Sequence, residues 1–167
     1  MKIQLGGHRG KSPIRGYAII DKSDYSKVSS YKWHASSSGG KHGKYYPMTN
    51  ALINGKYTML RMHHLIFGKY KGFDIDHING NSFDNRRSNL RKCLHSQNTV
   101  NRGLQRNNKS GYKGVYFNKA RGKWQVTIKH SGKSHYGGIF SQIKDAAECF
   151  NSLAKKQWGD FAILNKV

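Results

Sequence analysis

Residues 74–98 read DIDHINGNSFDNRRSNLRKCLHSQN, a stretch that predicts two short strands, a long loop and a helix. Phe73–Ile78 is predicted as the first strand, and the Asn-Gly-Asn that follows is typical of a turn. Leu90–Cys93 is predicted as the returning strand. Ser96 can cap a helix that runs to about Arg102. This order of elements places a histidine and several carboxylates in one small unit.

Acidic residues are rare in this chain, and three of them fall in this stretch. The 167 residues include 30 Lys and Arg but only 8 Asp and Glu, which gives a net charge of +22. Asp74, Asp76 and Asp84 nevertheless lie within eleven residues around His77. A surface that binds phosphates has no electrostatic reason to carry carboxylates, whereas a bound divalent cation would supply one. The net charge itself indicates a nucleic-acid partner, because each neutralised phosphate releases a counterion.

Asp76 and His77 together fit the needs of phosphodiester hydrolysis. That reaction needs a base to activate water and a metal to neutralise the charge that develops on the phosphate. Neighbouring residues of a strand point to opposite faces, so the two side chains favour a division into metal ligand and base. A second oxygen ligand is then expected on the following helix, where Asn98 lies.

The pattern Asp76-His77, Asn89 and Asn98 resembles the HNH motif of ββα-metal nucleases, in the version found in phage and intron homing endonucleases. The resemblance covers residues 60–102. It implies that Asp76 and Asn98 hold one divalent ion, with Mg²⁺ expected before Mn²⁺. It also implies that His77 is the general base and that Asn89 pins the loop that orients His77. The ion would contact the scissile phosphate and the 3′ leaving oxygen, which leaves 5′-phosphate ends.

Several other residues of this region have two open interpretations. His63 could steer a phosphate or only pack, and His64 departs from the arginine that relatives carry. Asp84 could cap a turn or hold Arg86 and Arg87 toward DNA phosphates. Asp74 is expected to support a loop, and His95 to cap a helix or lie at the surface.

Cysteine usage argues against bound zinc and against a disulfide framework. Many HNH relatives hold a zinc ion with two CxxC pairs, and this chain has only Cys93 and Cys149, 56 residues apart. No structural zinc is therefore expected, and a reducing compartment is the default. Without zinc, the small nuclease unit must be stabilised by packing against the N-terminal region.

The N-terminal sixty residues predict β structure. Tyr17–Ile20 is predicted as a short strand, and Tyr45–Ile53 and Lys56–Met62 flank Asn54-Gly55, a strong signal for a two-residue hairpin turn. The predicted fold class is α+β. The predicted organisation is a β-rich region with the nuclease unit over residues 1–102 (motif core 73–102), a basic linker over 103–110 and a second domain over 111–167.

The last sixty residues predict a three-stranded antiparallel sheet packed on one helix. Gly114–Phe117, Lys123–His130 and Ser134–Phe140 are the predicted strands. In the middle strand Trp124, Val126 and Ile128 alternate with polar residues. Apolar residues at helical spacing between positions 143 and 153 predict the covering helix.

Five segments of this region resemble the APETALA/ethylene-response-factor DNA-binding domain: SGYKGVY (110–116), GKWQVTI (122–128), GIF (138–140), AAECFN (146–151) and GDFAILN (159–165). That family lays its sheet into the major groove, which can admit a β element. Several positions hold Lys or Tyr where the plant domains have Arg, so the plant target sequence does not carry over. The resemblance implies DNA contacts by Lys113, Tyr116, Gln125, Thr127, Lys129 and Tyr136, with Arg121 and Lys123 as phosphate clamps.

The sequence thus predicts a metal-dependent, site-preferring endonuclease of homing type that acts on double-stranded DNA. One HNH centre holds one base and one metal, so the expected form is a monomer that nicks one strand. A non-catalytic DNA-binding regulator and an RNA-directed nuclease or RNA-binding protein stay open as alternatives, although the sheet favours DNA because the A-form major groove is too narrow. No apolar run approaches the roughly 20 residues of a membrane span, and the N-terminus has no long apolar core. The expected location is the cytoplasm of a phage-infected or bacterial host cell.

Overall fold

The chain forms two compact units, Met1–Leu94 and His95–Val167. The computed structural model describes residues 1–6, 16–37, 44–100, 103–104, 107–130 and 132–167. Both units are built from small antiparallel sheets and a few helices, so the chain is of mixed α and β structure. The predicted nuclease unit extended to residue 102, whereas the helix at 95–100 groups with the second unit. The predicted linker lies partly outside the described residues.

Two small sheets form the N-terminal part of the first unit. The hairpin turn between the fourth and fifth strands has Asn54 at φ 48° and Gly55 at φ 74°, the left-handed geometry that such a turn requires. The strand order of the larger sheet is β3-β4-β5. The elements are β1 (Lys2–Leu5) paired with β2 (Gly16–Ile19), then α1 (Tyr25–Ser29), β3 (His34–Ser37), β4 (Tyr45–Ile53), β5 (Lys56–Arg61) and α2 (Met62–Phe67).

The stretch from 74 to 93 forms a two-stranded antiparallel sheet. Strand β6 (Asp74–His77) pairs with β7 (Leu90–Cys93) so that Asp76 lies opposite Arg91. A short 3₁₀ helix at 87–89 leads into β7. Two strands alone bury little surface, and Ile75 and Leu90 instead join a core shared with the N-terminal region. The members of this core are Leu5, Ala18, Ile20, Val28, Trp33, Ala35, Met62, Ile66, Ile75 and Leu90.

The second unit is a sheet covered by one long helix. Its core lies between the middle strand and the helix, with Val126 and Phe150 at the centre. Gly114 and Gly137 permit this close packing, because a Cβ at Gly114 would lie 2.1 Å from a Phe150 ring carbon and one at Gly137 would lie 2.7 Å from Val126. The elements are α3 (His95–Val100), β8 (Val115–Asn118), β9 (Lys123–His130), β10 (Lys133–Phe140) and α4 (Ile143–Trp158), with the strand order β10-β9-β8.

Helices of the described residues are too short or too polar to cross a membrane.

Candidate active site

His77 lies at the end of β6 with its ring buried. Its Nε2 is 3.2 Å from Oδ1 of Asn85, a residue with no exposed surface. Burial lowers the pKa of His77, although the Asn85 hydrogen bond and the Asp76 charge oppose that shift. A histidine with a lowered pKa is neutral near pH 7, and the neutral ring is the form that can accept a proton.

Asn89 closes the loop that follows His77. Its Oδ1 accepts a hydrogen bond from the Asn79 backbone N–H at 3.0 Å, and its Nδ2 donates to Asn79 Oδ1 at 3.0 Å and to the Asp84 carbonyl at 2.7 Å. Its own carbonyl accepts from the N–H of Ile78, the residue after His77, at 2.9 Å. The side chain therefore ties together both ends of the loop, the position where the sequence predicts a pinning residue. Its contribution to catalysis stays a prediction.

Asp76 is a buried carboxylate beside His77. Its Oδ2 accepts from Nε of Arg91 at 3.0 Å and lies 2.9 Å from a terminal guanidinium nitrogen of the same residue, its neighbour across the sheet. In the part of the chain that the structure describes, no group of three or more His, Cys, Asp or Glu could hold a metal ion. A metal at Asp76 would therefore take its other ligands from amide, water or phosphate oxygens. That donor set fits Mg²⁺, which prefers oxygen and keeps several of its waters.

Asn98, the second predicted metal ligand, lies on α3. That helix belongs to the second unit, whereas Asp76 belongs to the first. The role of Asn98 stays a prediction.

An aromatic cluster packs against His77. The ring centroid of His63 lies 5.1 Å from that of His77 at an interplanar angle of 83°, and the Tyr46 ring lies 6.2 Å from His77 and 5.6 Å from His63. His63 is 2% exposed, and its Nδ1 has no hydrogen-bond partner among the residues that the structure describes. Burial, together with the nearby charges of His64, His77 and Arg61, lowers the pKa of His63 to about 2. The neutral His63 thus packs beside His77, and its contact with a phosphate stays a prediction.

The guanidinium groups of Arg86 and Arg87 bind carboxylates of the first unit. Arg86 donates to both oxygens of Asp84 at 2.8 and 2.6 Å, and these hydrogen bonds lower the pKa of Asp84. Arg87 donates to both oxygens of buried Asp24 at 2.8 and 2.6 Å and to the Ile66 carbonyl at 2.9 Å. Both arginines that the sequence predicts as phosphate contacts thus form bidentate ion pairs within the first unit. Their contact with a phosphate stays a prediction.

The open face of the sheet formed by β8, β9 and β10 carries most of the predicted DNA contacts. Tyr116 lies opposite Gln125, and Thr127 lies opposite Tyr136, on the side of the sheet away from Val126. Both tyrosines are exposed. Lys123 and Lys129 follow the same alternation along β9, and Arg121 lies in the turn before that strand, where its N–H donates to the Asn118 carbonyl. DNA binding by this face stays a prediction.

Lys113 differs from the other predicted DNA contacts. Its Nζ donates to the carbonyl of Val100, the last residue of α3, at 2.5 Å, and burial lowers its pKa. Its backbone N–H and carbonyl both bond to the Asn165 side chain. The lysine thus binds the C-terminal end of α3, where a cation is favourable.

Comparisons with known proteins identify the region around His77. Residues 61–100 match a family model described as HNH endonuclease. Among curated relatives, an uncharacterized HNH endonuclease of Acanthamoeba polyphaga mimivirus is 29% identical over 162 residues, which cover 95% of this chain and 78% of the relative. Protein 3.8 of Escherichia phage T7 is 40% identical over 65 residues, which cover 39% of this chain and 54% of that protein. No solved structure matches this chain.

Residues 61–100 are therefore an HNH endonuclease domain, and Asp76, His77, Asn89 and Asn98 all fall within it. Nucleases of this kind use a divalent metal ion. The family match ends before β8, so the resemblance of residues 110–165 to the plant DNA-binding domain stays a prediction. Asn85 and Tyr46 are residues of this site that sequence reasoning missed. Asn85 stands inside the quoted stretch, but its residue type alone does not distinguish it from the asparagines around it.

Proposed function

We propose that this chain is a Mg²⁺-dependent endonuclease that hydrolyses phosphodiester bonds of duplex DNA, with His77 as the general base. The observation that carries the proposal is the setting of His77 within the HNH domain. Its buried ring contacts Asn85, the following loop is closed by Asn89, and the carboxylate of Asp76 precedes it in β6. A neutral, oriented imidazole beside a buried carboxylate is the arrangement that metal-assisted hydrolysis needs.

The chemical step assigned to His77 is the removal of a proton from water. As that O–H bond breaks, the water oxygen bonds to phosphorus, and the bond from phosphorus to the 3′ oxygen breaks. The electron pair stays on the 3′ oxygen, which takes a proton from solvent, and the product strand carries a 5′-phosphate. We propose Asp76 and Asn98 as the residues that would hold a divalent ion, which would supply positive charge for the phosphate and the leaving oxygen.

Duplex DNA is the substrate that the charge and the second unit favour. With 30 basic and 8 acidic residues the chain attracts polyanions. The open face of β8, β9 and β10 combines lysines with exposed tyrosines, a combination typical of nucleic-acid surfaces. We assign the preference for particular DNA sites, typical of homing enzymes, to this face. Because one HNH centre holds one general base, we propose that a monomer nicks one strand.

Cleavage of supercoiled plasmid tests this function. Wild-type protein should convert the plasmid to open circle with Mg²⁺ and not with EDTA. His77→Ala should lose this activity, and His135→Ala, an exposed histidine on β10, should keep it.

The other outcomes separate the alternatives. Immediate linear product would contradict nicking by a monomer. Tight duplex binding without cleavage of plasmid or genomic DNA, even with Mn²⁺, would favour a DNA-binding regulator. Stronger competition by duplex RNA than by duplex DNA would favour the RNA alternative.

A further inference from the structure

Asn85 makes a side-chain contact with the imidazole of His77. It has no exposed surface, and its Oδ1 lies 3.2 Å from Nε2 of His77. Its Nδ2 donates to the backbone carbonyl of Ser82 at 3.3 Å. The amide group therefore lies between a carbonyl oxygen on one side and a ring nitrogen on the other.

The Ser82 carbonyl determines the orientation of this amide. A carbonyl oxygen can only accept, so the nitrogen of the amide must face Ser82 and the oxygen must face His77. The flipped amide would set two oxygens against each other in a buried place, where neither oxygen would have a donor. The oxygen toward His77 is an acceptor, so Nε2 of His77 must carry a proton. In the neutral ring the lone pair then belongs to Nδ1.

The rings around His77 support the same orientation. His63 packs edge-on against the ring at 5.1 Å, and Tyr46 lies at 6.2 Å. These neighbours hold the plane of the ring, and a half rotation that keeps that plane would put a ring carbon where Nε2 lies and would lose the hydrogen bond with Asn85. The strand and the loop that Asn89 closes hold the backbone on either side of the ring.

We infer that Asn85 is a positioning residue that fixes the Nε2–H tautomer of His77 and so makes Nδ1 the nitrogen that accepts the proton of water. The assignment of Nδ1 as the base rests on the proposed function. The assignment of the tautomer does not, because it follows from the hydrogen bonds that the Asn85 amide makes with His77 and with the Ser82 carbonyl.

Nitrogen NMR of the histidine side chains tests the tautomer directly. Metal-free protein is labelled with ¹⁵N-histidine and measured at pH about 8, where an ordinary histidine is neutral. His77→Gln identifies the His77 signals by their loss. The wild-type ring should show a protonated Nε2, an unprotonated Nδ1 and a slowly exchanging Nε2–H proton. A protonated Nδ1, or an average of two tautomers, in the wild-type chain would overturn the inference without any variant.

Two variants at position 85 and one control extend the test. Asn85→Ala should mix the tautomers and speed the exchange of the Nε2–H proton. Asn85→Asp keeps an acceptor oxygen opposite Nε2 and should keep that nitrogen protonated. Asn81→Ala removes an exposed asparagine of the same loop, whose Oδ1 accepts from the Phe83 N–H, and should leave the His77 signals unchanged. If Asn85→Ala does not fold, the wild-type and Asn85→Asp spectra still decide the question.

Steady-state nicking separates positioning from substrate binding. The expected loss for Asn85→Ala is about tenfold to 100-fold in kcat, no larger than the 10²–10⁴ that the general base itself contributes, with KM unchanged. A folded Asn85→Ala protein with wild-type tautomer and wild-type kcat would overturn the inference and leave the proposed function intact. Absence of cleavage by the wild-type chain would instead contradict the proposed function, while the spectra would still test the tautomer.

Discussion

Replacement of Asn89 by alanine should both destabilise the first unit and slow cleavage. The side chain makes three hydrogen bonds: one from the Asn79 N–H, one to Asn79 Oδ1 and one to the Asp84 carbonyl. A typical intramolecular hydrogen bond stabilises by about 1 kcal/mol, and a buried group left without a partner costs about 1–3 kcal/mol. The bond to the Asp84 carbonyl is buried and the two bonds to Asn79 are partly exposed. The expected loss in the free energy of unfolding is about 3 kcal/mol.

The indole N–H signal of Trp33 is a suitable probe of this loss, because it reports on the first unit alone. That group is buried and donates to the Val28 carbonyl at 2.8 Å. Its signal is followed by NMR through a urea titration, with Asn81→Ala as the matched control. Plasmid nicking is measured in parallel under conditions where the variant is folded. We expect kcat to fall by about 10²-fold, the low end of a general-base contribution, because Asn79, two residues after His77, loses both of its hydrogen bonds with the Asn89 side chain.

Asn89→Asp distinguishes the hydrogen bonds from simple volume. It keeps the acceptor for the Asn79 N–H but replaces the donor by an oxygen that faces Asn79 Oδ1 and the Asp84 carbonyl. It should therefore destabilise at least as much as alanine. The argument for loop pinning would be refuted if Asn89→Ala changed the free energy of unfolding by less than about 0.5 kcal/mol, the usual size of a neutral surface change, or if it nicked as fast as Asn81→Ala.

Three further predictions concern ion pairing, acid and DNA. Arg87→Leu should lower the free energy of unfolding of the first unit by about 3 kcal/mol, because it leaves the 1%-exposed Asp24 carboxylate unpaired. The indole N–H signal of Trp33, followed through a urea titration, measures this loss. Acid should destabilise the first unit from about pH 6.5 downward, because the unfolded chain then binds a proton that buried His63, with a pKa of about 2, does not bind. His63→Leu should reduce that pH slope by up to about 1.4 kcal/mol per pH unit, and a slope equal to that of the wild type would contradict this. Lys129→Gln should weaken duplex binding and reduce by about 0.9 the slope of log K for DNA binding against log salt concentration. Lys113→Met should leave that slope unchanged and destabilise α3 instead.

Local sequence signals predict the first and last residues of several elements correctly. β4, β7 and β9 begin and end where the alternation and the flanking turns place them, and the Asn54-Gly55 turn has the predicted geometry. Each of these signals lies within a few neighbouring residues. β6 is shorter than predicted by one residue at each end, because Phe73 is exposed and Ile78 already bonds to Asn89.

Long-range contacts are the part that local patterns could not provide. Arg87 bonds to Asp24, 63 residues earlier in the chain, so its sequence neighbours suggest a basic loop rather than a brace. Tyr46 packs against His77 from a different sheet, and the lysine at 113 binds the carbonyl of Val100, 13 residues earlier in the chain. Asn85 stands in a run of polar residues whose spacing does not reveal which side chain turns inward.

Asp76 and Asp84, two of the three clustered carboxylates, have an explanation other than a bound cation, and Asp24 shares it. Asp24, Asp76 and Asp84 each bind an arginine of the first unit at 2.6–2.9 Å. Two of these pairs hold the loop from Ser82 to Asn89 in place, so a basic protein has an electrostatic reason for them without a bound cation. The clustering of acids is therefore weak support for a metal site, and the support for Asp76 as a ligand comes from its place beside His77 in the HNH domain. Asp76→Asn separates the two roles: Mn²⁺ binding and cleavage should be lost together if Asp76 is a ligand. If Asp76 only forms the ion pair with Arg91, the free energy of unfolding of the first unit should fall and the affinity for Mn²⁺ should not change.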